Sequence, residues 1–249
     1  MEGALPVPAW LEPPSWPNDS LLESGEAVTC DLTPLGSNYT FVVCLQGEDG
    51  EQIKAIYKPR KGEVPLWDFP HGTLHLRECA SYLLAEALGW HFIPRTILRD
   101  GPHGEGSMQR YVDHNPRDHY FTLREGYEEQ FPRICLFDLL TNNADRKAGH
   151  TILGADERVW GIDHGLTFHP YPKLRTVIWD FAGEPVPDEL VQDLCRLQEK
   201  LDRADDAVLP FVDLLHAKEL EALRHRLALI LDEPTFPDPR NARLPWPWM

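Results

Sequence analysis

The hydropathy period of this 249-residue chain changes along its length, and that change limits the folds open to it. Up to residue 112, apolar and β-branched residues come in short runs at 27–32, 39–45, 52–58, 92–98 and 107–112. Turn-forming segments divide them. Gly47-Glu48-Asp49-Gly50-Glu51 has hairpin chemistry, and Asp100-Gly101-Pro102-His103-Gly104 separates the last two runs. Pro59 brings no backbone donor and should close the third strand. One helix interrupts the series: Leu76, Ala80, Leu83, Leu84 and Ala87 recur at helical spacing, with Gly89 placed to cap its end. Farther on, residues 134–140, 189–201 and 218–231 carry helical apolar stripes. Strands first and helices later predict an α+β protein with an N-terminal antiparallel sheet lobe and a mostly helical C-terminal lobe. We divide the chain into an arm (1–23), a sheet lobe (24–112), a helical lobe (113–233) and a tail (234–249).

Charge narrows the function classes. Forty acidic against 24 basic residues leave a formal net charge of -16. A broad nucleic-acid footprint needs clustered Lys and Arg, and an anionic bilayer repels such a chain. No apolar run reaches membrane-spanning length, and the N-terminus has no basic leader pattern, so we expect a cytoplasmic protein without integral membrane association. Cys30, Cys44, Cys79, Cys135 and Cys195 form no CxxC or zinc spacing and read as buried free thiols. Both ends are rich in proline and tryptophan (Pro13-Pro14-Ser15-Trp16-Pro17, Pro245-Trp246-Pro247-Trp248). The first reads as an arm packed loosely on the body, and the ends are candidate contacts for a protein partner.

Two aspartates follow apolar approaches. Asn142-Asn143-Ala144-Asp145-Arg146 succeeds Leu136-Phe137-Asp138-Leu139-Leu140, and Asp163 comes eighteen residues later in Val159-Trp160-Gly161-Ile162-Asp163-His164-Gly165. Phosphoryl transfer needs such parts: a metal-holding carboxylate, a group that orients the acceptor, a cation on the phosphates and a small-residue loop over them. Asp163, with Gly165 beside it, suits a divalent metal. Asp145, with Arg146 in the same core, suits the acceptor hydroxyl. Taken singly, each aspartate also fits an ordinary turn. Lys58 ends a strand and shares a face with Ile56, placing an apolar side chain for a base and an ammonium for phosphates. Glu78 lies on the following helix as a partner for Lys58, with Arg77 as a competitor for charge. Gly36-Ser37-Asn38 offers small residues between strands, which a plain hairpin turn explains equally well.

These residues resemble the phosphatidylinositol 3-/4-kinase-like superfamily, in particular a bacterial phosphatidylinositol-kinase-related branch; type II phosphatidylinositol 4-kinases and HipA-type kinases are more distant. Ala55-Ile56-Tyr57-Lys58-Pro59, Asn142-Asn143-Ala144-Asp145-Arg146 and Gly161-Ile162-Asp163-His164-Gly165-Leu166 carry the resemblance, which runs from about Ser24 to the C-terminus. It implies a two-lobed, protein-kinase-like fold with ATP and magnesium, or manganese, in the cleft. In that frame Lys58 binds the α- and β-phosphates and pairs with Glu78, and Gln109, Tyr111 and Val112 form the lobe linker against adenine. Asp145 is then the catalytic aspartate and Asp163 the metal ligand.

One position departs from the pattern. Where an Asn or Asp usually supplies a second metal ligand, this chain has Lys147-Ala148-Gly149-His150, and His150 is the nearest match. Imidazole is a poorer magnesium ligand than oxygen. A nucleotide-binding pseudokinase acting as a regulatory module is therefore the alternative. A metal hydrolase on His150, Asp163, His164 and His169 is a further one, without HExxH spacing. His164 and His169 are expected to line the cleft. The acceptor stays open, a soluble small molecule or protein hydroxyl being favoured over a bilayer lipid.

Overall fold

The computed structural model describes residues 8–34, 38–238 and 243–249. After a short helix α1 (Leu21–Ser24), five strands build one antiparallel sheet: β1 (Glu26–Leu32), β2 (Phe41–Gln46), β3 (Gln52–Pro59), β4 (Thr96–Gly101) and β5 (Gly104–Arg110). Their spatial order is β1-β2-β3-β5-β4. Period two divides the faces. Phe41, Val43, Leu45, Ile53, Ala55 and Tyr57 pack with Leu22 and Met108 into the sheet's own core. Val42, paired with Ile56 across the ladder, and Lys58 therefore lie on the other face.

The expected strand at 92–98 is mostly not a strand. Phe92 and Ile93 are buried in the helical lobe's core, Pro94 cannot donate to a ladder, and pairing starts only at Thr96. A short apolar run looks alike whether it pairs or plugs a core.

Helix α2 (Leu74–Leu88) ends at Gly89, whose φ of 73° is the left-handed cap that favours glycine. Its buried Ala80, Leu84, Ala85, Ala87 and Leu88 belong to the core of the helical lobe. The helix that follows the third strand thus anchors the sheet to the second lobe. That lobe comprises α3 (Tyr120–Leu123), α4 (Phe131–Thr141), α5 (Asp188–Arg203), α6 (Leu209–Val212) and α7 (Ala217–Asp232), with a small hairpin of β6 (Thr151–Leu153) and β7 (Val159–Gly161). Leu190, Leu194, Leu197 and Leu201 bury one face of α5, and Leu223 and Leu227 one face of α7, so both stripes are core.

Described residues near both ends contact the body. Trp16 packs on Trp160 with ring centroids 5.1 Å apart, and Arg158 donates to the carbonyls of Ala9 and Glu12. Phe236 is buried against Phe181, and the Trp248 carbonyl accepts from the Ala148 amide at 2.9 Å. The five cysteines are free, and Cys195, expected to be buried, is exposed on the polar face of α5. Among the described residues no helix is long and apolar enough to cross a membrane.

Candidate active site

Helix α4 stops at Asn142, a left-handed cap with φ 54°. Its side chain donates to the carbonyls of His169 and Tyr171 and accepts from the Lys173 amide, locking the chain's turn out of the helix. Asn143 donates to Asp138 and accepts the Asp145 amide at 3.0 Å, a local turn that aims the Asp145 carboxyl outward. Arg146 corrects the sequence reading. It is fully enclosed, and its guanidinium is consumed by Asp138, the carbonyls of His150 and Ile162, and Nε2 of His164 at 2.7 Å. A side chain with no exposed surface cannot touch substrate, so Arg146 positions the loop. Sequence reasoning passed over Asp138; the signal was a lone acid in an otherwise apolar helix.

The β6–β7 hairpin, also unforeseen, brings the two aspartate segments together. Thr151 pairs with Gly161, and the Ile162 amide donates to the His150 carbonyl at 3.0 Å. Eighteen residues of sequence separation thereby become adjacency.

Asp163 has φ 58°, which turns its carboxylate toward the sheet lobe. Lys58 Nζ donates to Asp163 Oδ1 at 2.8 Å and also to Glu78. Glu78 accepts the His164 amide through its second oxygen at 2.9 Å. Arg77 does not compete, because it is buried with Glu219 and the Thr167 carbonyl on the other side of α2. Gly165 permits this closeness: a Cβ there would stand 3.3 Å from Glu78 Oε1. Burial alone would depress the Lys58 ammonium, but Asp163 and Glu78 outweigh it and hold its pKa above the ordinary value. Desolvation likewise works to raise Asp163, but the Lys58 ammonium overcomes it and keeps this half-exposed carboxyl ionised far below the usual carboxylate range. Asp145 shifts upward through burial, moderated by Lys147 Nζ at 3.1 Å.

His150 also departs from expectation. Its Nδ1 accepts the Lys147 amide at 3.4 Å, which leaves the proton on Nε2, and Nε2 stands 3.4 Å from Asp163 Oδ2. In this tautomer Nε2 turns an N–H, not a lone pair, toward the Asp163 carboxylate at the range of a polar contact, and offers a metal no ligand. Burial pushes its pKa down to about 4. His164 lies beneath the cleft instead of lining it, and burial and Arg146 keep it neutral. His169 is held by Tyr171 and the Asp68 carbonyl. The hydrolase set is therefore not assembled; among the described residues no group of three or more His, Cys, Asp or Glu could hold a metal.

Asn38, Lys58, Glu78, Asp145, Lys147 and Asp163 line one cavity of about 110 Å³ between the lobes. The Asn38 side chain is spent on the Val64 amide, and Gly36 and Ser37 lie outside the described residues. Ile56 sits two positions before Lys58 on the cleft face. Gln109 is within β5, laddered to Ile56 and Thr96, with its side chain donating to Thr96. The segment joining the lobes therefore starts after it, at Tyr111, whose ring lies under Lys54, and Val112, packed with Ile152 and Trp160.

The buried neutral histidines give a testable acid dependence. His150 protonates near pH 4 when folded and near 6.5 when exposed, so between those values the unfolded chain binds more protons and stability falls as pH falls. For chelator-treated protein we expect a loss of up to about 3 kcal/mol across that window. Thermal melts from pH 7.5 to 4.5 should show a flatter slope for His150→Gln than for wild type; equal slopes would remove His150 from the account.

This architecture, a five-stranded sheet lobe over a helical lobe with a lysine–glutamate–aspartate cluster between them, is the two-lobed protein-kinase-like fold. Crystal structures of the Golgi casein kinase share it: one with Mn/ADP bound has a TM-score of 0.54 at 15% identity, covering 85% of this chain and 73% of that one. A second structure of the Golgi casein kinase has a TM-score of 0.51 at 14% identity over 87% and 75% of the two chains. No protein-family model matches. Protein Rv2133c of Mycobacterium tuberculosis (strain ATCC 25618 / H37Rv) is 36% identical over 264 residues, spanning 92% of this chain and 94% of that protein. The chain belongs to the same family as Protein Rv2133c.

Proposed function

We propose that this protein is an ATP- and divalent-metal-dependent phosphotransferase of the phosphatidylinositol 3-/4-kinase-like superfamily, acting on a soluble hydroxyl acceptor. The observation that carries this reading is the Lys58 ammonium shared by Glu78 and Asp163 in the cavity that also holds Asp145. Lys58, kept charged and fixed by Glu78, is placed for phosphate oxygens. Val42 and Ile56 offer an apolar roof for a base, and Tyr111 and Val112 the backbone at its edge. Asp145, its basicity raised by burial, takes the acceptor hydroxyl, with Lys147 beside it as a second cation.

The residues fit a metal of the magnesium or manganese kind. Such an ion commonly takes one or two protein carboxylates and completes its shell with phosphates and water, so Asp163 suffices without a protein cage. When bound, the cation would neutralise charge on the β- and γ-phosphates. His150 Nε2 lies beside that carboxylate, 3.4 Å from Asp163 Oδ2. The net charge of -16 argues against a bilayer headgroup as acceptor.

The test is calorimetric titration of ADP with magnesium or manganese, followed by transfer of label from γ-labelled ATP to cell metabolites. Lys58→Met, checked by melting to be folded, is expected to weaken nucleotide binding at least tenfold. Unchanged affinity would sink the phosphate role of Lys58. His150, at the place of a second oxygen ligand, is what favours the regulatory reading, and metal-dependent ADP binding with no label transfer to any fraction would select it.

A further inference from the structure

A cavity of about 740 Å³ lies apart from the one that holds Lys58. It opens on the segment after Asp163, and its walls include Trp67, Tyr171 and Trp179, with Trp67 92% and Tyr171 71% exposed. Lys173 Nζ stands over the Trp67 ring, 5.1 Å from its centroid, and Trp179 is half-exposed with its indole N–H given to the Thr176 carbonyl, so these rings are held in place around a concavity of a size that suits a small organic ligand. Its charge is equally distinctive. Asp68 is paired with Lys173, and Asp238 is engaged as well, whereas no hydrogen bond or ion pair among the described residues occupies the side chains of Arg175 and Arg243. Two uncommitted guanidinium groups in a chain of net charge -16 make a local site for an anion.

The cavity is joined to the catalytic loop through the backbone. The Arg175 amide donates to the Asn143 carbonyl at 2.9 Å, and its carbonyl accepts from the Arg146 amide at 3.0 Å, so Arg175 brackets Asp145. A parallel bridge links Arg175 to Arg243, bringing the C-terminal tail to the same edge. Burial and Lys147 weigh most on the Asp145 carboxyl, and Arg175 is the other cation acting on it.

We propose that this cavity is the acceptor subsite, and that the acceptor is a small hydroxyl compound carrying a phosphate or carboxylate and a flat face. The inference rests on the phosphotransferase reading. Arg175 and Arg243 grip the anionic group, Trp67 and Trp179 cover the flat face, and the hydroxyl is delivered to Asp145. The hydroxyl oxygen then bonds to the γ-phosphorus of ATP as the bond to the β–γ bridging oxygen breaks. ADP leaves with that electron pair, and the hydroxyl proton passes to the Asp145 carboxylate.

The experiment titrates the full chain, in magnesium and ADP, with three matched pairs: ribose and ribose 5-phosphate, glucose and glucose 6-phosphate, cytidine and cytidine monophosphate. Calorimetry reads binding, and label transfer from γ-labelled ATP reads turnover. We expect at least one phosphorylated member to bind tenfold or more tightly than its neutral partner and to take label. Arg243→Ala and Arg175→Ala should each erase most of that preference. Trp67→Ala, at a solvated position that does not endanger the fold, should weaken both members of the pair. ADP affinity should stay within twofold in all three variants. Equal binding within every pair, or binding of none, overturns the proposal. So does label transfer, to these compounds or to a test peptide, that is indifferent to the three substitutions. Failure of the wild type to bind ADP is read before any acceptor is added and overturns the phosphotransferase reading instead.

Discussion

Asp163→Asn is expected to lower label transfer from γ-labelled ATP by about a thousandfold while leaving the protein folded. A metal clamp on transferring phosphates contributes several kcal/mol, and each ~1.4 kcal/mol is a factor of ten in rate. The carboxylate is half-exposed and sits at the cleft, so its loss leaves no buried charge unpaired, and Lys58 keeps Glu78 as its partner. The melting temperature should therefore stay close to that of wild type. The isosteric amide retains the shape and removes the charge that attracts the cation, so metal-dependent ADP binding should weaken along with turnover. Equal transfer by variant and wild type would refute the metal role of Asp163.

The second large effect is on stability. Arg146 and Asp138 are both without solvent exposure and joined by three hydrogen bonds. Arg146→Met strands a buried carboxylate, which costs about 3–5 kcal/mol. It also releases the carbonyls of His150 and Ile162 that the guanidinium holds. For a chain of this size that corresponds to a melting temperature lower by roughly 10 °C. Asp138→Asn combined with Arg146→Met removes the stranded charge and should recover part of the loss, as measured by urea denaturation. A single variant as stable as wild type would show that the pair does not hold the loop. Arg146 and Asp163 thus separate cleanly: one is read by folding, the other by turnover.

Much of this arrangement was legible in the residues. Period-two runs at β2 and β3, the helical stripe ending at Gly89, and the apolar faces of α5 and α7 each report local geometry that burial of one face imposes. The two-lobed, kinase-like expectation came from the resemblance carried by the motifs around Lys58, Asp145 and Asp163. Where the reading erred, the local pattern was ambiguous. Residues 92–94 are apolar because they plug the helical core, and apolarity alone does not report pairing. Arg146 stands next to Asp145 in sequence, yet one residue of backbone turn sends its side chain to the interior while that of Asp145 faces the cleft. Asp138 and the β6–β7 hairpin went unseen because their partners are distant or their strands only three residues long.

The sequence by itself therefore determined the fold class and which side chains are capable of the chemistry, since periodicity and residue type are local properties. Only the tertiary structure decided which of them meet. The pairing of Lys58 with Asp163 spans 105 residues, the separation of Arg77 from Glu78 depends on Glu219, and the role of His150 turns on which ring nitrogen faces Lys147. Charge pairing and proton position depend on distance and burial in three dimensions, and those exist only once the chain has folded.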